Sequence, residues 1–178
     1  MVHYQLSDSE LSILMQAPLQ AIMALTLSDN IDPVSFFKEV QAGIQIITAE
    51  QQSQNIASDL VKFFVTSFDA VDNKKFLNDE ELVLKKEIEL LKLLQNLEHP
   101  AQGRQKAIAH FEQVALILAN KLTTTQASEF KAWLMSIARK VAQTVEEEEG
   151  ILCVGGEQVH YVEAFMLKKL EHTLTLKA

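Results

Sequence analysis

Apolar residues recur along this chain with the period of an α-helix, and this pattern restricts the possible folds more than any other feature. In one segment a single helical face collects Phe130, Trp133, Leu134, Ile137 and Val141. Residues 19–27 are apolar nearly all round, which is typical of a central buried helix. Only five glycines and three prolines interrupt 178 residues, and no segment alternates as a half-buried strand does. The sequence therefore predicts an all-α protein, a single compact bundle of about seven or eight helices.

The length of the chain and a faint internal similarity bear on its domain organisation. A chain of 178 residues fits one domain with a sizeable hydrophobic core. Residues 21–40 and 114–133 share an order of features: an apolar helix, a short polar turn, a capped helix start and a Phe-Lys pair. We expect a single domain, with two possible related halves at about 1–72 and 79–178.

Three places in the sequence have the spacing of a capping box, in which a short polar side chain and an acid or amide three residues later satisfy free backbone N–H groups. The pairs are Ser7 with Glu10, Asn78 with Glu81, and Thr123 with Gln126. Each pair predicts the start of a helix.

Other helix boundaries follow from proline and from the apolar period. Pro18 removes a backbone hydrogen bond and predicts a kink or a break in the first helix. The helix that starts at Pro33 is expected to end near Thr48, and residues 51–69 predict a separate helix. The last helix is predicted near residues 159–173, with Phe165 facing the core.

Charge, hydropathy and cysteine usage indicate a soluble protein of the cytoplasm. The net charge of −8 provides no basic field for a phosphate backbone, so we expect no nucleic-acid partner. No window approaches 18 consecutive apolar residues, which predicts no membrane span. The only cysteine, Cys153, has no partner for an intramolecular disulfide, and the first 18 residues lack the pattern of a signal peptide.

The glycine-containing stretch near the C-terminus has the outline of a phosphate-binding loop but lacks its chemistry. Gly150 and Gly155 have the required spacing, yet Gly156 and Glu157 stand where lysine and a hydroxyl residue would contact phosphate and magnesium. Cys153 lies among apolar and acidic neighbours, which do not lower a thiol pKa. We therefore predict a connector between two helices with an inert cysteine.

Metal-binding patterns are equally incomplete. The consecutive glutamates 146–149 point in different directions on a helix and cannot converge on one calcium ion. Glu157 and His160 have the spacing found in di-iron bundles, but only one copy of the motif is present. His110, in an apolar helix, is expected to be a hydrogen-bonded residue at the edge of the core. The residue patterns predict no cofactor.

Four segments carry a resemblance to a known family. The first is Gln-Ala-Pro at residues 16–18, which precedes an apolar helix, and the second is the aspartate-containing turn at 25–35. The third is the Phe-Lys helix at 120–143, and the fourth is the glycine-containing block at 146–164. In these segments the chain resembles a family of uncharacterised all-helical bacterial proteins, distantly similar to the TerB-type fold of tellurite resistance. The resemblance implies an all-helical fold and brings no activity with it.

The resemblance also implies a pair of candidate metal ligands. Where the family has a glycine after an aspartate, this chain has Asn30, and the later family glutamate falls on Val34 or Ser35. Asp29 and Asp32 remain as the candidate metal ligands.

Three functional hypotheses follow from these observations. The first is a non-enzymatic protein that acts through a protein partner or self-association, because the helical pattern is clear and no catalytic motif is present. The second is a TerB-like protein of a stress response that binds a metal or small ligand through Asp29 and Asp32, with the acidic run 146–149 as a further candidate. The third is an enzyme with a pocket between the two helical halves.

Overall fold

The described part of the fold consists of helices. A computed structural model describes residues 6–27, 33–52, 58–70, 79–94, 99–149 and 157–175. The helices in these residues are α1 (Asp8–Thr26), α2 (Pro33–Gln52), α3 (Asp59–Ala70), α4 (Asp79–Leu94), α5 (Pro100–Lys121), α6 (Thr124–Glu149) and α7 (Glu157–Thr175). The described residues contain no strand. The prediction of an all-α bundle of about seven helices is therefore confirmed.

Two of the three predicted capping boxes lie in described residues, and both are present. Glu10 accepts a hydrogen bond from the Ser7 backbone N–H at 2.8 Å, and the Ser7 hydroxyl accepts one from the Glu10 N–H at 3.2 Å. Thr123 and Gln126 make the same reciprocal bonds, at 3.0 and 3.3 Å. The pKa of the Glu10 carboxyl is lowered, mainly by the hydrogen bonds from Ser7 and to a smaller extent by Lys121. Asn78 lies outside the described residues.

Two local expectations are wrong, and a third is wrong in one of its alternatives. Helix α1 continues through Pro18 without a break, and residues 17–27 are buried, so packing holds this part of the helix together. The other alternative, a kink at Pro18, stays a prediction. The helix that begins at Pro33 extends to Gln52, and α3 begins only at Asp59, so no separate helix starts at residue 51. Phe165 is 56% exposed, because Met166 and Leu170 define the face of α7 that meets the core.

Helix α1 lies at the centre of the bundle and contacts α2, α5, α6 and α7. Every residue from 17 to 27 is buried, which confirms the prediction from its apolar sequence. On α2, Gly43 lies against Ile22 of α1, and a Cβ atom added at Gly43 would lie 2.9 Å from two carbons of the Ile22 side chain. The absence of a side chain at residue 43 thus allows α1 and α2 to approach closely.

Polar contacts link α1 to α5 along an antiparallel pair. Lys121, at the end of α5, lies 3.2 Å from Glu10, at the start of α1. At the opposite end of the pair, the Arg104 guanidinium donates to the carbonyl of Leu27, just beyond the end of α1. A cation at this position satisfies a free carbonyl and complements the negative end of the helix dipole.

The hydrophobic core includes residues from all seven helices. Between α3 and α6, Phe64 and Phe130 pack edge to face with ring centroids 5.0 Å apart, and Trp133 continues this cluster at 5.5 Å from Phe130. At the edge of the cluster, Ser58 donates to a carboxylate oxygen of Glu129 at 2.6 Å. The predicted similarity between the two halves of the chain, about 1–72 and 79–178, stays a prediction.

Candidate functional site

The residues that the sequence marked as a possible metal site lie outside the described part of the structure. These are Asp29 and Asp32. The glycine-containing connector at 150–156, with Cys153, also lies outside it. Helix α6 extends through Glu149, so the acidic run continues the helix. The metal hypothesis therefore stays a prediction. Within residues 6–27, 33–52, 58–70, 79–94, 99–149 and 157–175, no group of three His, Cys, Asp or Glu side chains could hold an ion.

His110 has the structural role that the sequence predicted. Its Nε2 lies 2.8 Å from the carbonyl oxygen of Ile13, which makes a bond between α5 and α1. Burial lowers the pKa of the imidazole, and the hydrogen bond to Ile13 opposes this effect only in part. A proton on Nε2 is required to donate to this carbonyl, and because burial favours the neutral ring, the neutral Nε2–H tautomer fits this contact. His110 is accordingly a core-edge residue that joins two helices.

An exposed row of large aliphatic side chains runs along α4. Leu84, Ile88 and Leu91 are 56%, 44% and 41% exposed, respectively. Their spacing of four and three residues places them on one helical face. Leu90 is buried on the opposite side, where α4 packs against α2. We call Leu84, Ile88 and Leu91 the α4 stripe.

Opposite charges flank the two sides of the α4 stripe. With 3.6 residues per turn, Glu87 lies along one side, and Lys85 and Lys92 lie along the other. The stripe residues occupy the successive d, a and d positions of a heptad, so Glu87 takes a g position and Lys92 an e position. In coiled coils, these flanking positions determine which helix pairs with which, and in what orientation.

A second surface feature is a groove between α5, α6 and α7, with a volume of about 710 Å³. The buried side chains of Leu118, Met135 and Leu174 underlie the groove, and the half-buried Leu122 presents apolar surface to it. Three of the α6 residues that line the groove are small: Ala127, Ser128 and Ala132. The groove is open because these small side chains leave space between the three helices.

Charged groups lie at the edge of the groove. Arg139 of α6 donates to Glu171 of α7 at 2.9 Å, and this exposed pair joins the two helices. Lys131 also lines the groove and is half-buried. Among the residues that the structure describes, Lys131 has no ion-pair or hydrogen-bond partner. The lining residues therefore carry one more positive than negative charge, on a chain whose net charge is −8.

Comparison of the chain with known protein families, curated proteins and solved structures finds no match. The TerB-type resemblance thus stays a prediction. In the described portion of the chain, no helix combines the length and the apolar character that crossing a bilayer requires.

Neither surface feature was identified as a site from the sequence. Apolar residues at positions 84, 88 and 91 are visible in the sequence, but so are others on the remaining faces of α4. The sequence pattern does not show which face packs against α2. The groove depends on how three helices pack, and its small α6 residues have no distinctive spacing in the sequence.

Proposed function

We propose that this protein acts by protein–protein contact through the α4 stripe, and that the contacting partner is a second copy of the same chain. The observation that carries the proposal is the exposure of Leu84, Ile88 and Leu91 on one face of a helix. Scattered exposed apolar residues are normal, but three at heptad spacing make a continuous apolar seam. A second copy would cover this seam with an identical one.

The flanking charges favour a parallel pairing of two α4 helices. In a parallel pair, the g side of one helix faces the e side of the other, so Glu87 of each copy would face Lys92 of its partner. In an antiparallel pair, like positions face each other, and Glu87 would oppose Glu87 while Lys92 would oppose Lys92. Because like charges across a seam are unfavourable, the charge pattern supports the parallel arrangement.

The expected contact is weak. Full burial of an exposed Leu or Ile side chain would stabilise the dimer by about 1.5–3 kcal/mol. Each residue of the α4 stripe is roughly half exposed, so it can bury about half of its surface. Six such side chains at a dimer contact would contribute about 5–9 kcal/mol, against an association cost of at least ~4 kcal/mol. The surplus is therefore at most about 5 kcal/mol, which corresponds to a dissociation constant no tighter than about 0.2 mM. Self-association should therefore depend strongly on protein concentration.

Sedimentation equilibrium over a range of concentrations up to about 1 mM tests this proposal. The proposal commits to the upper end of this surplus, a dissociation constant of about 0.2 mM, at which the wild-type protein should pass from mostly monomer to mostly dimer as the concentration approaches about 1 mM. Ile88→Asp should abolish the dimer, because it places an unpaired charge in the centre of the seam. Leu116→Asp is the matched control: Leu116 is 49% exposed on α5, away from the stripe, so this variant should dimerise as the wild type does.

Charge exchange tests the orientation. Glu87→Lys should weaken the dimer, because two lysines would then face each other across the parallel seam. The double variant Glu87→Lys with Lys92→Glu should restore it. A wild-type protein that stays monomeric at the highest concentration would refute the proposal, and so would equal effects of Ile88→Asp and Leu116→Asp.

A further inference from the structure

The groove between α5, α6 and α7 has the size and chemistry of a small-ligand site, and it is independent of the α4 stripe. Its volume of about 710 Å³ lies within the range of ligand pockets in proteins, about 300–1,000 Å³. It is also elongated along α6. Its lining residues extend from Thr124 to Arg139, a distance of about 22 Å at 1.5 Å per residue.

The lining of the groove is suited to an aliphatic chain. Leu118, Leu122, Met135 and Leu174 present only hydrocarbon or thioether groups, and methionine adapts its shape to an irregular ligand. Binding of an apolar molecule in such a groove is favourable, because it removes apolar surface from water.

The edge of the groove is suited to one negative charge. The Arg139 guanidinium is paired with Glu171, whereas the half-buried Lys131 has no partner among the described residues. The Lys131 ammonium group can donate to a ligand oxygen, and the hydroxyl of Ser128, which also lines the groove, is a second donor. A hydrogen bond from an ammonium group to a carboxylate is about twice as strong as one between neutral groups.

We propose that this groove binds an amphipathic monocarboxylate: an aliphatic chain that lies along α6 over the apolar lining, with its carboxylate at Lys131. The proposal rests on the coincidence of an elongated apolar groove with a cation, Lys131, that has no partner among the described residues. Charge complementarity distinguishes this occupant from a neutral lipid, which would leave Lys131 without a partner, and from a dianion, whose second charge would meet no further unpaired cation among the described lining residues.

Calorimetric titration of the full chain with sodium decanoate, kept below its micelle concentration, tests the proposal, with the neutral decanol as the matched probe. Wild-type protein should bind decanoate saturably and more tightly than decanol. Lys131→Gln should weaken decanoate binding about tenfold, the loss expected for one charge-assisted hydrogen bond, and should leave decanol binding unchanged. Methyl NMR shifts on decanoate addition should concentrate at Leu118, Leu122, Met135 and Leu174.

A steric variant and a control variant complete the design. Ala132→Phe should block both probes, because Ala132 is an exposed lining residue that can accept a larger side chain without disturbing the core. Ile88→Asp, which alters the α4 stripe, should leave decanoate binding unchanged. No saturable binding, equal affinity for the two probes, or wild-type binding by Ala132→Phe would overturn the proposal. Loss of dimer formation in Ala132→Phe would instead assign the groove to a second copy of the chain and would also overturn it.

Discussion

The close approach of α1 and α2 at Gly43 makes a quantitative prediction about stability. An alanine Cβ at position 43 would lie 2.9 Å from Cδ1 and Cγ1 of Ile22 and 3.4 Å from its Cγ2. Ile22 is fully buried, so it has no free space into which to move. Overpacking of this kind costs about 1–3 kcal/mol. Alanine in place of glycine gains up to about 1 kcal/mol of helix propensity.

The net result for Gly43→Ala should be a loss of up to about 2 kcal/mol in the free energy of unfolding. Urea denaturation followed by far-UV circular dichroism measures this change. Gln41→Ala is the control, since Gln41 is exposed on the same helix and the substitution should change stability by only a few tenths of a kcal/mol.

The decisive comparison is the same substitution in an Ile22→Ala background. Ile22→Ala removes all three carbons that crowd the added Cβ, at its own cost of about 2–5 kcal/mol. In that background Gly43→Ala should stabilise the protein by up to ~1 kcal/mol, so the sign of its effect should reverse. An equal loss in both backgrounds would refute the explanation that Gly43 is required for contact with Ile22.

Two further predictions concern buried polar groups. Burial lowers the pKa of His110, so folding favours the neutral ring. The stability that depends on the neutral ring should be fully present above the ordinary pKa of about 6.5, and the free energy of unfolding should fall as the pH drops below it. His110→Gln keeps a donor for Ile13 without titrating, and urea denaturation between about pH 7.5 and 5.5 should show a smaller loss in this variant; an unchanged pH profile would contradict the role of His110. Gln20 is 5% exposed, and its Oε1 has no hydrogen-bond partner among the residues that the structure describes. Gln20→Met should therefore raise the free energy of unfolding by about 1 kcal/mol, because it removes an unsatisfied polar group at similar volume. A lower melting temperature for Gln20→Met would indicate that the amide oxygen does have a partner in solution.

Features that depend on nearby residues were predictable from the sequence. The reciprocal bonds of Ser7 with Glu10 and of Thr123 with Gln126 involve residues three apart, and their geometry is fixed once a helix forms. Proline at position 100 likewise predicts the start of α5 after His99, which is its N-cap. The helical period of the apolar residues was sufficient to predict an all-α fold.

Features that depend on packing were not predictable. Phe165 and Met166 are adjacent apolar residues on α7, and only contact with the rest of the bundle determines that Met166 is buried. Proline disrupts an isolated helix, but α1 continues through Pro18 because the residues that follow it are buried in the core. The two surface features also depend on packing. The exposed face of α4 is the one that α2 does not cover, and the groove depends on how α5, α6 and α7 pack together.

Disulfide cross-linking through the α4 stripe tests the central claim most directly. In a Cys153→Ser background, no other thiol is present, and a single cysteine can be placed at Leu84 or at the control position Leu116. Equivalent d positions lie side by side in a parallel pair, so Leu84→Cys should form covalent dimers under mild oxidation much faster than Leu116→Cys. Equal rates for the two variants would contradict a parallel contact between α4 helices.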